Sequence, residues 1–338
     1  MTDAPVQPTQ LLEIHGLKKY FPVTRGAILR RRVGEIKAVD DVNLNIAPGE
    51  TVGLVGESGC GKTTLGRCIL KLETPSAGAI RFDGENVHAQ DRTAAQRLRR
   101  RVQAVFQDPY GSLNPRMQVS DIIAEPLVIH AVGDKPARAR RVAELLDVCG
   151  LPQSMATRYP HEMSGGQRQR VGIARALALN PDFIVCDEAV SALDVSIQAQ
   201  IINLLEDLRE EFNLTYLFIG HDLSVVHHMC HRVAVMYLGK IVEIAAADEL
   251  FDNPAHPYTK ALLSAVPVPD PRIEAERPHT TLAGEVPSPM NPPVGCVFHP
   301  RCPVAVESCR QQVPALRELT PNHSVACTEV HMGVLHNE

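Results

Sequence analysis

The stretch Gly56-Glu57-Ser58-Gly59-Cys60-Gly61-Lys62-Thr63-Thr64 has the residue types needed to grip phosphate. Its glycines let the backbone curl until successive N–H groups point inward at anionic oxygens. Lys62 has the reach to meet the outer phosphates of a nucleoside triphosphate, and the Thr63 hydroxyl can ligate Mg²⁺. The run Thr51–Val55 before it predicts a buried strand, and Leu65–Leu70 after it predicts a helix. The loop therefore sits at a strand-to-helix turn, as a phosphate-binding loop requires, and the helix adds the positive end of its dipole.

Other polar residues fall where predicted strands end, the edge at which parallel sheets bind ligands. Asp187 closes the apolar run Phe183–Cys186 and suits a Mg²⁺-associated carboxylate; Glu188, one residue on, can polarise a water beside a γ-phosphate. Gln107 ends a strand predicted over 101–106 and can touch the metal or the attacking water. The loop after it, Asp108–Pro115, is rich in Pro, Gly and Asn and predicts no regular structure. His221 follows a strand predicted over Leu214–Gly220; it can bond a γ-phosphate or be an ordinary satisfied polar residue. Ser164-Gly165-Gly166-Gln167 opens a helix, and reads either as a second anion-binding N-terminus or as a plain helix cap. Tyr20 and Phe21 follow a strand predicted over Leu11–Leu17. An aromatic ring there can stack on adenine or serve as a strand-end aromatic.

The elements that must position these residues alternate. Ala38–Ile46 has the period of a half-buried strand, and the basic stretch Arg25–Lys37 before it predicts a loop. Residues 119–175 predict mostly helix, with Val142, Leu145, Leu146 and Cys149 at helical spacing. Ile201, Leu204, Leu205, Leu208 and Phe212 mark one face of another helix. Strands alternating with helices imply an α/β, mostly parallel sheet covered on both faces. A boundary falls near Asn253–Pro257. Beyond it, prolines 267, 269, 271, 278, 287, 289, 292 and 293 predict an extended connector.

Length and charge bound the function. The 338 residues have room for one large α/β domain and a smaller one. The net charge of −5 disfavours nucleic acid as a bulk partner. The basic runs Arg30–Arg32 and Arg97, Arg99–Arg101 lack interleaved aromatics and read as solvated faces. No apolar run reaches membrane-spanning length and the N-terminus lacks a signal-peptide pattern, so a cytoplasmic chain is expected. Of nine cysteines, Cys60, Cys68, Cys149, Cys186 and Cys230 lie in packed contexts. Cys296, Cys302, Cys309 and Cys327 instead crowd together with spacing Cys-x5-Cys-x6-Cys-x17-Cys. Such a group favours metal over disulfides in the cytoplasm. Thiolates select zinc or iron–sulfur clusters. The short hooks usual for structural zinc are absent, four cysteines suffice for [4Fe–4S], and unligated thiols remain a third reading.

Taken in order, these motifs resemble the nucleotide-binding subunit of an ABC transporter, over residues 10–252 or so. Gly56–Thr64 matches Walker A, Gln107 the Q-loop and Ser164–Gln167 the signature. Phe183–Asp187 matches Walker B, with Glu188 as the catalytic glutamate. Ser191–Asp194 matches the D-loop, and His221 the switch histidine. Met163 stands where leucine or phenylalanine is common. The resemblance implies a P-loop NTPase cassette: a mostly parallel sheet with an antiparallel β-subdomain and a helical subdomain. Tyr20 or Phe21 would stack on adenine, with Phe21 preferred by spacing. Residues 106–116, 187–195 and 256–259 narrow the likeness to the second, F-type ATPase of oligopeptide/dipeptide permeases. That implies a cassette over 8–252 and a small domain over 253–338 holding a [4Fe–4S] cluster, with Zn²⁺ as the alternative. It also implies a paralogous D-type ATPase, two membrane permease subunits that meet Glu125-Pro126-Leu127, an external substrate-binding protein, and a place on the cytoplasmic face of the membrane. Nickel, glutathione or sugar are the alternative cargoes, and a soluble ABC ATPase the alternative class.

Overall fold

The computed structural model describes residues 10–25, 31–89, 91–266 and 284–330. The prolines at 267, 269, 271 and 278, and Arg30 of the first basic run, lie outside the described residues. The elements begin with β1 (Leu12–Arg25), β2 (Arg31–Ile46), β3 (Thr51–Val55), α1 (Lys62–Ile69), β4 (Ala77–Phe82), β5 (Glu85–Asn86), α2 (Arg92–Arg101) and β6 (Val102–Phe106). A mainly helical stretch follows: α3 (Pro109–Ser112), α4 (Val119–Ile129), α5 (Lys135–Val148) and α6 (Gly165–Leu177). Next come β7 (Phe183–Asp187), α7 (Val195–Phe212), β8 (Thr215–Ile219), α8 (Leu223–Met229), β9 (Arg232–Tyr237) and β10 (Lys240–Ala246). The C-terminal part adds α9 (Ala247–Asp252), α10 (Pro257–Ser264), α11 (Glu307–Gln311), β11 (Arg317–Thr320) and β12 (His323–Val325).

The chain forms two compact units. Of the described residues, those within 1–12, 45–51 and 82–220 form one, and those within 13–44, 52–81 and 221–338 form the other. The segment beyond residue 253 shares a unit with the phosphate-binding loop.

In the first unit β6, β7 and β8 run parallel, with Phe106 opposite Asp187 and Asp187 opposite Ile219. Phe183–Cys186 is fully buried, as a central parallel strand should be. Val142, Leu145, Leu146 and Cys149 are buried on α5 and its cap, as their spacing predicts, and Asp134 caps the helix by accepting from the Ala137 N–H at 2.9 Å. α4, α5 and α6 pack together, and α6 also packs on α7. The basic face of α2 is spent on ion pairs: Arg101 with Asp83 and Asp182, and Arg97 with Glu85.

In the second unit β3 runs parallel to β9. β9 turns back into β10 through Leu238 and Gly239, both at positive φ. β12 then pairs antiparallel with β10, and β11 with β12. β2, β1 and β4 form a second sheet in that order.

Three local expectations need correction. β1 runs through Lys18–Pro22 to Arg25, and β2 starts at Arg31 inside the expected loop. The added stretches, Lys18–Arg25 and Arg31–Lys37, do not alternate polar and apolar residues, so no periodicity marks them as strand. Pro109–Ser112 forms one helical turn where no regular structure was expected, because proline suits the first helical position.

Candidate active site

In the second unit the fully buried β3 delivers the phosphate-binding loop to α1. Gly56, Gly59 and Gly61 have φ of 148°, 78° and 113°. A Cβ at Gly56 would lie 2.1 Å from the Met236 carbonyl oxygen, and one at Gly61 1.9 Å from that of Ala38. Glycine is required at both for space as well as for φ. Lys62 is buried and donates to the carbonyl oxygens of Gly56 at 2.6 Å and Glu57 at 3.1 Å. Burial pushes the Cys60 thiol up, against the pull of Lys62 beside it. Ser58, Gly59 and Thr63 are exposed, while Thr64 is half-buried. Thr63 offers a hydroxyl oxygen of the kind Mg²⁺ takes.

Glu57 makes contacts that its sequence did not announce. Its N–H donates to the Tyr258 hydroxyl at 2.8 Å. Its carboxylate accepts two bonds from Arg301, at 2.8 and 3.2 Å. Tyr258 and Phe298 are fully buried and pack with Tyr237, their ring centroids 4.7–5.5 Å apart. Tyr258 lies within the 256–259 stretch already singled out, but Arg301 carried no sequence signal beyond lying between two cysteines.

Tyr20 and Phe21 are neighbours on β1 and so face opposite ways. The Tyr20 hydroxyl donates to Asp40, which also pairs with Lys240 at 2.9 Å. Burial, then Asp40, pushes that hydroxyl's pKa up. The Lys19 ammonium lies 4.7 Å from the Phe21 ring centre. His221 is exposed.

The first unit carries the other residues. Asp187 and Glu188 are half-buried at the end of β7. Glu188 has φ of 51°, a left-handed conformation unusual outside glycine. Its N–H still donates to the Ile219 carbonyl at 2.9 Å, and its own carbonyl accepts from the Ser191 hydroxyl at 3.0 Å. The kink takes the Glu188 side chain out of the strand's alternation. Such strain is found at functional sites when neighbours enforce it.

Gln107 is exposed just past β6. α6 grips both ends of its loop: Gln169 donates to the Phe106 carbonyl at 3.4 Å and Arg175 to that of Ser112 at 2.6 Å. The same helix opens with Ser164–Gln167 as a reciprocal capping box. The Ser164 hydroxyl accepts from the Gln167 N–H, and the Gln167 side chain accepts from the Ser164 N–H at 3.0 Å. That leaves the N–H groups of Gly165 and Gly166 at the helix mouth without a side-chain cap. A Cβ at Gly166 would meet Ile197 of α7 at 2.5 Å. Asp194 is exposed at the N-cap position of α7.

Among the described residues no group of three or more His, Cys, Asp or Glu side chains is placed to hold a metal ion. The four C-terminal cysteines lie close enough for their thiols to influence one another's charge, but in no metal-holding arrangement. Burial raises the thiols of Cys296, Cys302 and Cys327, Cys302 to about 11, and neighbouring thiols of the four add to each. A single zinc ion needs its sulfurs about 2.3 Å from one point. A cluster of four irons is a larger body that takes one cysteine at each iron. Neither requirement is met by a side-chain group among the described residues.

Residues 39–191 match the family described as ABC transporter, so the cassette is an ABC ATPase. Solved cassettes agree. A dimeric post-hydrolysis structure of the ATP-binding cassette MJ0796, bound to ADP and Pi, is 30% identical, with a TM-score of 0.61 over 70% of this chain and 98% of that one. CbiO1 of Clostridium perfringens is 26% identical, with a TM-score of 0.62 over 72% of this chain and 91% of that one. Residues 242–309 match the oligopeptide/dipeptide transporter C-terminal region. The oligopeptide transport ATP-binding protein AppF of Bacillus subtilis is 55% identical over 318 residues, 94% of this chain and 96% of AppF. The chain belongs to the ATP-binding subunits of the oligopeptide/dipeptide ABC transporter family.

Proposed function

We propose that this ATPase drives uptake of peptides through a membrane permease on whose cytoplasmic face it sits. The observation that carries the cargo is the match of residues 242–309, a region beyond the general cassette. In this reading Gly56–Thr64 grips the triphosphate, with Lys62 leaving the loop carbonyls for the outer phosphates. Thr63, Asp187 and Gln107 hold Mg²⁺, which supplies charge neutralisation at the phosphates. Glu188 orients and polarises the attacking water, and His221 bonds the γ-phosphate. Phe21 or Tyr20 stacks on adenine.

Ser164–Gln167 and Asp194 serve a nucleotide held by a second cassette, the D-type paralogue, in a head-to-tail pair. The uncapped N–H groups of Gly165 and Gly166 support that role, because they offer an anion site outside the phosphate-binding loop. Two permease subunits dock near Glu125-Pro126-Leu127. The exposed apolar pair beside it, Val128 and Ile129 at 55% and 68% exposure, supports that contact. A substrate-binding protein outside the membrane delivers the peptide. Cys296, Cys302, Cys309 and Cys327 hold a [4Fe–4S] cluster that ties the C-terminal segment together.

The test is uptake by the assembled transporter together with the ligand carried by its binding protein. Peptide-dependent ATP turnover supports the reading. Nickel, glutathione or a sugar as the bound ligand would move the cargo and leave the ATPase in place. Absence of membrane subunits from the purified complex would favour a soluble ABC ATPase.

A further inference from the structure

We propose that Arg301 is a positioning residue for nucleotide binding, neutralising the carboxylate that Glu57 places inside the phosphate-binding loop. The inference rests on Gly56–Thr64 being the triphosphate site. A loop that must hold a polyanion carries a negative side chain at its second position, and uncompensated it would repel the ligand. Arg301 meets it with a two-bond, fork-to-carboxylate pairing at 2.8 and 3.2 Å. The Arg301 side chain is 8% exposed and that of Glu57 26%, so solvent screens the pair only in part.

The surroundings fix both partners. Arg301 ends a tight turn, its N–H bonded to the Phe298 carbonyl at 3.0 Å, and Phe298 is buried among Tyr237, Tyr258 and His256. Tyr258, from the same aromatic group, takes the Glu57 N–H. The Glu57 carbonyl accepts from Lys62. Every polar group of Glu57 is thus engaged, and two of the three are held by the C-terminal segment. That segment includes Cys296 and Cys302 on either side of Arg301.

Charge neutralisation and mechanical tethering predict opposite results for Glu57. Equilibrium binding of MgATP to the full-length chain separates them. Arg301→Gln should weaken binding about tenfold, and Arg301→Lys, which keeps the charge, by much less. Glu57→Gln should tighten binding about threefold, and adding it to Arg301→Gln should restore affinity to within about threefold of the unsubstituted chain. A tether would instead make Glu57→Gln as damaging as Arg301→Gln, with no rescue in the double variant; either result overturns the proposal. Should Arg301→Gln not fold, Glu57→Gln alone still decides it, since weakened binding there sinks the idea. Lys62→Ala must abolish binding in every background. Its failure to do so would locate the error in the triphosphate site, not in Arg301.

Discussion

At the residue scale, Gly59 and Gly61 of the phosphate-binding loop separate two costs that glycine avoids. Both have positive φ, but a Cβ at Gly59 meets nothing within 4 Å, whereas one at Gly61 strikes the Ala38 carbonyl at 1.9 Å. Gly59→Ala should lose about 1–2 kcal/mol from backbone strain alone. Gly61→Ala should lose about 3 kcal/mol or more and shift the loop. Denaturant titration of the two variants checks the contrast. Glu188→Gln keeps the shape of the side chain but not its basicity. It should bind ATP and turn it over about 10²–10⁴-fold more slowly, read by phosphate release from the assembled transporter. Near-normal turnover would remove Glu188 from the water-activating role. These residues were legible in the sequence because motif spacing is local. The Arg301–Glu57 pair was not, since 244 positions separate its members.

At the element scale, buried central strands were the readable part. β7 is apolar over Phe183–Cys186 before Asp187, and β8 over Tyr216–Ile219 after Thr215, short runs of strand rather than helix length. β11 and β12 gave no comparable signal: they are short, polar, and held by what they pair with. Glu243, fully buried on β10, organises that pairing. It accepts from His323 of β12 at 2.7 Å and from the N–H groups of Ala255 and His256 at 2.7 and 2.9 Å. His256 caps α10 by accepting the Tyr258 N–H at its Nδ1, so it must be neutral there, and burial lowers its pKa to about 4 from 6.5. Hydrogen bonding to Glu243 moves His323 the other way. The signs oppose. The His323 contribution is complete below its unfolded value and is lost as pH rises through its raised folded value. The His256 burden is absent above about pH 6.5 and grows down to about pH 4, reaching at most about 3.5 kcal/mol at roughly 1.4 kcal/mol per pH unit. His256→Asn should therefore flatten the loss of stability between pH 6.5 and 4. A slope unchanged from the unsubstituted chain in thermal melts across that range would refute it.

At the scale of the whole molecule, the residues proposed to handle nucleotide are distributed over the two compact units. The phosphate-binding loop and His221 lie in one; Gln107, Ser164–Gln167, Asp187, Glu188 and Asp194 lie in the other. Sequence order gave their identity, but the division into units follows contacts between distant segments and had no local mark. The C-terminal cysteines belong to the unit that holds the phosphate-binding loop. Purified without oxygen, the chain should be brown and carry about four irons. A colourless preparation loaded with zinc would reject the cluster.

The pairing of β12 with β10 also sets a condition on biosynthesis. β10 is complete at residue 246, yet its outer edge and the Glu243 carboxylate wait for residues 323–325. Until that stretch leaves the ribosome, a growing chain shows a bare strand edge and a Glu243 carboxylate that lacks its His323 partner. A message cut short before codon 323 would leave the phosphate-binding motif intact in sequence but its sheet open to aggregation and proteolysis.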